Sequence, residues 1–284
     1  MKTGIIGLGL IGGSMAIDFR RRGFADEIYG SDANPVNANA ARTIGLVDET
    51  MDVETLVDRS DLIIISIPVD SAVLVLKQVL DIFQDKGYNG KTVIDTCSTK
   101  GIISASVEGH PCRGRYVATH PMAGTEYSGP WAAMANLFDG RAAIVADAQK
   151  SDKDAVDMVE KMYDTLHMRL SVMTSESHDV HVAYVSHLSH VISFALALTV
   201  LDKEKDDSHI FDLASGGFSS TARLAKSNAA MWTPIFLQNK DNVLEGVDTY
   251  IDKVKEFRDA ISSGDAAALD ALIREANRIK RIIK

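Results

Sequence analysis

Cysteine is almost absent from this chain. Cys97 and Cys112 are the only two in 284 residues, which excludes a disulfide scaffold and a four-cysteine zinc site. An excess of basic residues is lacking too. Thirty Lys and Arg stand against 39 Asp and Glu, for a formal net charge of -9. A broad nucleic-acid face needs a net basic surface, so no nucleic-acid partner is expected. An anionic small substrate stays compatible, provided local Arg or Lys overcome the background. Past the N-terminus no apolar run of about 18 residues stands out, so no membrane span is expected. The N-terminal stretch itself carries glycines and Asp18 and lacks a small-residue cleavage site, which reads as a folded strand and turn and not as a signal peptide. A reducing, cytoplasmic setting is the simplest fit. Internal repeats and low-complexity tracts are not evident. What is present, 46% hydrophobic and 24% charged residues, suits a globular chain long enough for two domains.

The chain reads as two halves. Up to about residue 150, β-rich runs at Lys2–Leu8, Glu27–Ser31, Asp61–Ile67, Lys91–Thr96, Arg115–Thr119 and Ala142–Ala146 alternate with helical patterns such as Ile11–Arg22 and Ser71–Phe83. Ile63, Ile64 and Ile65 form the unbroken apolar run of a parallel strand covered on both faces. The alternation predicts an α/β, Rossmann-type doubly wound parallel sheet over 1–150. Residues 151–284 read as an all-α domain, apart from one short strand near Leu170–Thr174. Within it Val180–Leu201 is apolar nearly all round and predicts a helix buried on most sides, in part against a second subunit. Met231–Ser262 reads as one long helix, followed by Gly264 and a last helix from Asp265.

Gly7-Leu8-Gly9-Leu10-Ile11-Gly12 is a G-x-G-x-x-G that follows a strand and opens a helix, with Asp32 ending the next strand. That context, more than the pattern, marks a dinucleotide site. Gly7 permits the tight turn, Gly9 admits the pyrophosphate to the amides at the start of the helix through Leu10 and Ile11, and Gly12 lets helix and strand pack. Asp32 can accept hydrogen bonds from a ribose diol and repels a 2′-phosphate, so NAD is expected over NADP. Ser66 and Pro68 end a later strand at the same sheet edge, where they either border the cofactor or simply stop the strand.

Two polar clusters fall at later strand ends, where ligands gather in such folds. Asp95–Gly101 contains Ser98; Thr119–Glu126 contains His120 beside Pro121. With an ordinary pKa of about 6.5, His120 is either a catalytic acid–base group or a satisfied loop histidine. The histidines at 178, 181, 187 and 190 invite a metal reading, but helical geometry sets His181 and His190 on opposite faces and no acid shares the face of His187 and His190, so no metal is expected. Ser186, Ser189, His190 and Ser193 make a polar stripe that either lines a wet pocket, the favoured reading, or pairs with another helix. Gly216–Lys226 supplies hydroxyls, amides and Arg223 for a carboxylate, or else is an ordinary helix start with a solvated Arg. Trp232 suits a core or an interface better than a ligand contact.

In GLGLIGGS, DTCSTKG, THPMAGTEYSG, VSHLSHVISFAL and GGFSSTARLAKSNAAMW the chain resembles the prephenate and arogenate dehydrogenases of tyrosine biosynthesis, over nearly its whole length. The resemblance implies oxidative decarboxylation of prephenate to 4-hydroxyphenylpyruvate and CO2, with NAD⁺ as oxidant and His120 drawing the proton from the C4 hydroxyl. It further implies Ser98 hydrogen-bonded near His120, and Arg223 and His190 on the carboxylates with His187 beside them. Glu126 would sit at the pocket mouth, paired with Arg223. The helical half would form a homodimer in which Trp232 reaches the partner's site. The chain departs from the common family pattern in two places: Cys97 stands where glycine is often found, and Ser189 where proline is. Lacking a mutase-like region before the fingerprint or length for a regulatory domain after Lys284, the chain is expected to be monofunctional. Arogenate dehydrogenase activity is the nearest alternative, and a dinucleotide sensor without turnover a more distant one. A β-hydroxyacid dehydrogenase would want a catalytic Lys on the long helix, and Val180–Leu201 has none.

Overall fold

The computed structural model describes residues 1–205 and 209–282. Its framework is an eight-stranded sheet in the order β3-β2-β1-β4-β5-β6-β7-β8. The strands are β1 (Lys2–Ile6), β2 (Glu27–Ser31), β3 (Glu49–Thr50), β4 (Leu62–Ile65), β5 (Thr92–Asp95), β6 (Tyr116–Pro121), β7 (Ala142–Ala146) and β8 (Arg169–Met173). Neighbours from β3 through β6 are parallel; β7 runs antiparallel to β6, and β8 parallel to β7. Parallel register lines up Ile5, Ile64, Ile94 and Val117 across adjacent strands. All four enter one core layer with Met15 and Phe19 of α1 (Leu10–Arg21) and Val159 and Tyr163 of α6 (Lys153–Thr165). Because side chains alternate along a strand, Ile63, Val93 and Tyr116 point the other way. They meet Leu76 and Phe83 of α4 (Val69–Lys86) and Ile103 of α5 (Gly101–Ala105). Two smaller helices, α2 (Pro35–Thr43) and α3 (Val53–Arg59), flank β3, a two-residue strand too short to show in the sequence pattern.

The sheet does not stop at residue 150. Helix α6 covers it and β8 pairs along β7 from Ala142↔Arg169 to Ala146↔Met173, so the layered region extends to Met173 and the expected boundary moves with it. Apolar Ala155, Val159 and Met162 on α6 belong to the sheet core; a helix that packs there cannot be assigned to the helical half. Beyond Met173 come α7 (Ser175–Val182), a π-helical turn (Ala183–His187), α8 (Leu188–Glu204), α9 (Gly216–Ala222) and α10 (Ala229–Gln238). Residues 1–239 form one compact unit. A second, Lys240–Lys284, contains α11 (Lys240–Ser263) and α12 (Ala266–Ala276), joined through Gly264 at φ +69°.

The structure corrects two helix expectations. Met231–Ser262 is not one helix: Asn239 leaves helical geometry, and its side-chain amide donates to the Asp179 carbonyl at 2.7 Å. The Ser175–Glu204 helix is long and apolar enough to cross a membrane, with a window mean hydropathy of 1.5. Interspersed Ser and His residues hide that run when it is read residue by residue. The same helix is not buried within the chain; Val185 is 70% exposed and Leu198 62%.

At the end of β7, Asp147 adopts left-handed backbone (φ +50°). Its buried carboxylate accepts from the Ser175 amide at 3.0 Å and hydroxyl at 2.6 Å, which pins the start of α7 to the sheet. Asp147→Ala strands the Ser175 amide, leaves the Ser175 hydroxyl only Ser104 Oγ at 3.0 Å, and should lower the unfolding free energy by about 1–3 kcal/mol. Urea denaturation should then show a lower midpoint at unchanged slope; an unmoved midpoint would show that α7 is held by other contacts.

Candidate active site

The three fingerprint glycines play different parts. Gly7 has φ +97°, and a Cβ there would lie 2.2 Å from the Ser66 carbonyl oxygen; one on Gly12 would lie 2.2 Å from that of Gly7. Both are demanded by close backbone packing of β1, α1 and β4. A Cβ on Gly9 would meet nothing within 4 Å, so that glycine keeps space open. Gly9 is also the N-cap of α1, without a side-chain cap and with no acid in the first turn. The leading amides of Leu10 and Ile11 are therefore left for an external anion. Half-buried Asp32 accepts from the Leu8 amide at 3.0 Å and the Asn34 amide at 2.9 Å, which fixes the carboxylate beside the loop with lone pairs to spare. Ser66 Oγ lies 3.2 Å from Thr96 Oγ1, and exposed Pro68 caps α4. The chain jumps from β3 to β4 across β1, so the loop lies at the point where strand order reverses, the place a dinucleotide fits.

Three strands away, β6 alternation puts Tyr116, Ala118 and His120 on the face covered by α4 and α10. His120 is 9% exposed. Its Nδ1 lies 2.8 Å from His178 Nε2, and His178 Nδ1 lies 2.8 Å from Asp179 Oδ1. Asp179 also accepts from the amides of Lys100 at 2.7 Å and Gly101 at 2.8 Å. Burial above all, with His178, Lys100 and His187 as lesser causes, pushes His120 well below the usual histidine range. Burial works to raise Asp179, but His178 and the two amides outweigh it and hold the carboxyl below its ordinary value. Under the site, the Lys100 ammonium pairs with Asp95, whose other oxygen accepts from Tyr116 Oη at 2.6 Å. Cys97 is buried, and burial followed by Asp95 raises its thiol well above the normal range, so it stays uncharged.

The remaining candidates fall into two groups. His187, His190 and Trp232 cluster: the His190 ring stacks on Trp232 with centroids 3.4 Å apart, and His187 meets it edge-on at 5.9 Å. Asn239 joins this cluster to the first, donating to Asp179 and lying 3.2 Å from His187 Nδ1. His187 Nε2 and Trp232 Nε1 are buried without a partner among the described residues. Burial pushes His187 down to about 4 and lowers His190 also. Trp232 packs in its own chain's core, contrary to the expectation that it reaches a partner. In the second group Arg223 is exposed, and Glu126 and Ser98 are half-buried. Arg223 Nη1 lies 3.3 Å from Glu126 Oε2, the ion pair that the family pattern implied. Ser98, half-buried after β5, makes no hydrogen bond to His120 among the described residues. The polar stripe divides. Ser189 is exposed, while Ser193 accepts from the Ala225 amide and donates to the Thr221 carbonyl, both at 3.0 Å. Ser193 thus pairs with the segment around α9 and does not line a wet pocket.

Sequence reading missed His178, Asp179, Lys100 and Asn239. In the sequence His178 stands out only as part of a histidine-rich run, and its acidic neighbour Asp179 is the signal that marks it. Among the described residues no group of three or more His, Cys, Asp or Glu is placed to hold a metal.

Residues 15–172 match the family model for the nucleotide-binding domain of prephenate dehydrogenase, and residues 174–282 match that for its dimerization domain. A prephenate dehydrogenase of Bacillus subtilis is 31% identical over 274 residues, covering 95% of this chain and 73% of its own. The solved prephenate dehydrogenase of A. aeolicus, in complex with hydroxyphenyl propionate and NAD⁺, superposes with TM-score 0.87 at 29% identity, covering 100% of this chain and 98% of its own. Synechocystis arogenate dehydrogenase gives TM-score 0.77 at 26% identity, with 99% of each chain covered. With both of its halves matched, the chain belongs to the prephenate dehydrogenase family.

Proposed function

We propose that this chain is an NAD-dependent prephenate dehydrogenase, which oxidises the C4 hydroxyl of prephenate and releases the ring carboxylate as CO2 to give 4-hydroxyphenylpyruvate. The observation that carries the reading is a buried, uncharged imidazole, His120, at the carboxyl edge of the sheet that also carries the dinucleotide loop. NAD⁺, when bound, supplies the two-electron acceptor for the hydrogen on the hydroxyl-bearing carbon. Gly9 and the first amides of α1 would hold its pyrophosphate and Asp32 its ribose. His120 accepts the hydroxyl proton. The product ring is aromatic, so the step runs downhill once the ring carboxylate leaves, and the protein's part is mainly orientation and proton transfer.

Arg223 and His190 hold the carboxylates in this reading, and Ser98 approaches the hydroxyl. Arg223 must exchange Glu126 for substrate. His190 Nδ1 faces the Ser186 carbonyl at 3.0 Å and donates to it, so its Nε2 can donate to a carboxylate only after taking up a proton. The unpartnered N–H groups beside it support a ligand acceptor near His187 and Trp232, since a buried orphan donor costs about 1–3 kcal/mol. Homodimerisation through the helical half is supported by the dimerization-domain match and by the exposed apolar face of α8. The free thiols of Cys97 and Cys112 agree with a cytoplasmic setting.

The choice of prephenate over arogenate rests on the B. subtilis relative. Steady-state rates on both substrates, followed by nicotinamide absorbance, test it: prephenate should give the higher kcat/KM, and a large excess for arogenate would overturn the choice. His120→Asn should cut kcat by about 10²–10⁴-fold while NAD⁺ affinity barely changes; an unchanged kcat would remove His120 from the reaction. Because its pKa is lowered, His120 stays an uncharged acceptor as the pH falls through the ordinary histidine value of 6.5, and loses that form only at the lower, folded value. The acid limb of kcat/KM should therefore lie below 6.5. A limb at or above that value would mean that the imidazole is not held as described.

A further inference from the structure

We propose that His178 and Asp179 are positioning residues that hold His120 in its Nδ1-protonated tautomer, so that Nε2 presents a bare lone pair to the substrate. The inference rests on His120 being the proton acceptor, as proposed above, and assigns to α7 a part in the reaction that neither the family resemblance nor the comparisons supply.

Hydrogen accounting fixes every proton in the chain of contacts. Asp179, held below its ordinary pKa, is an acceptor only. Its two oxygens already take the amides of Lys100 and Gly101. A bare His178 Nδ1 set 2.8 Å from Oδ1 would put lone pair against lone pair, so that nitrogen must carry hydrogen. Burial above all lowers His178 below the usual histidine value, so the ring is neutral and has one N–H, which leaves Nε2 as an acceptor. The group 2.8 Å away is His120 Nδ1, and it must be the donor. His120 Nε2 is then unprotonated, and it makes no hydrogen bond among the described residues. The ring centroids are 5.1 Å apart and the planes inclined at 67°, which excludes a stack and is compatible with an in-plane N–H aimed at an in-plane lone pair.

The other charged and titratable groups leave this order intact. Lys100 Nζ is engaged by Asp95, on the sheet side. His187, pushed down to about 4 by burial, is neutral at working pH. Asp179 is thus the anion that faces His178. It cannot easily swing away, because two backbone amides and the start of α7, pinned by Asp147, fix it. Gly101 belongs to the same device: a Cβ there would stand 3.0 Å from Asp179 Oδ2, a tight contact that would push on the carboxylate. When the hydroxyl proton moves to His120 Nε2, the ring becomes an imidazolium whose Nδ1–H bond to His178 is charge-assisted, with the Asp179 carboxylate behind it. Without the pair, Nδ1–H would be an unsatisfied buried donor and the ring would divide between tautomers, one of which cannot accept the proton.

The test uses the full-length protein with NAD⁺ and prephenate. His178→Leu should lower kcat by about 10–10²-fold, in line with the usual weight of outer partners of functional imidazoles, with KM for prephenate and for NAD⁺ unchanged. His178→Gln, whose side-chain oxygen can accept from Nδ1, should restore most of the loss. In a His120→Asn background His178→Leu should cost nothing further, because its effect passes through His120. Nitrogen NMR of isotope-labelled imidazoles should show His120 protonated at Nδ1 in the wild type and mixed in the leucine variant. An unchanged kcat in His178→Leu, an equal loss in the His120→Asn background, or a wild-type His120 protonated at Nε2 would each overturn the proposal. If wild-type protein does not oxidise prephenate, the substrate reading falls, and the NMR readout still decides the tautomer. If the leucine variant fails to bind NAD⁺ and to fold, the wild-type tautomer decides alone.

Discussion

Both oxygens of the Asp179 carboxylate are held inside the protein, by the amides of Lys100 and Gly101 and by the His178 ring. That contact ties the strand-end turn after β5 to α7, and through His178 it reaches the imidazole at the end of β6. An ionised group so placed would be costly alone. Here each oxygen meets at least one fixed donor, and the charge does local work: it sets which nitrogen of each neighbouring ring carries hydrogen. The same contact lets His120 be both buried and oriented. Burial alone would keep the ring uncharged but would leave its tautomer open; a solvated partner would orient it but let it protonate near neutral pH.

Asn239 extends this order to the second cluster. It donates to the Asp179 carbonyl and stands beside His187, next to the stacked pair His190 and Trp232. The substrate-facing residues proposed on α8 and α10 are therefore continuous with the proton acceptor on the sheet, and a carboxylate bound at His190 lies in one packed network with His120. Arg223 and Glu126 stand apart from it, more exposed and paired with each other. That pair is screened by solvent and weak, which suits the exchange of Glu126 for substrate proposed for Arg223.

Much of this was legible beforehand where chemistry is local. The glycine loop, Asp32 and the strand pattern declare themselves because backbone approach, ribose binding and a twice-covered parallel strand each demand particular residues at short spacing. His120 was visible as a histidine at a strand end. What lay hidden depends on contacts across many residues. His178 joins His120 over 58 positions and Asp179 meets Lys100 over 79, and no periodicity marks such pairs. Helix α6 looked like part of the helical half because its amphipathic pattern does not say which surface it covers. The long apolar helix was expected to be buried in part against a second subunit; its flank is exposed in the single chain, and apolar composition by itself does not say which surface covers it.

A bare Nε2 on His120 directed at the oxidised oxygen is the claim on which the chemistry turns. The most direct measurement is a crystal structure of the protein with NAD⁺ and 4-hydroxyphenylpyruvate. The account predicts the phenol oxygen at about 2.6–3.2 Å from His120 Nε2, with Nδ1 still on His178. A phenol oxygen held by some other group, with His120 turned away from it, would contradict the account.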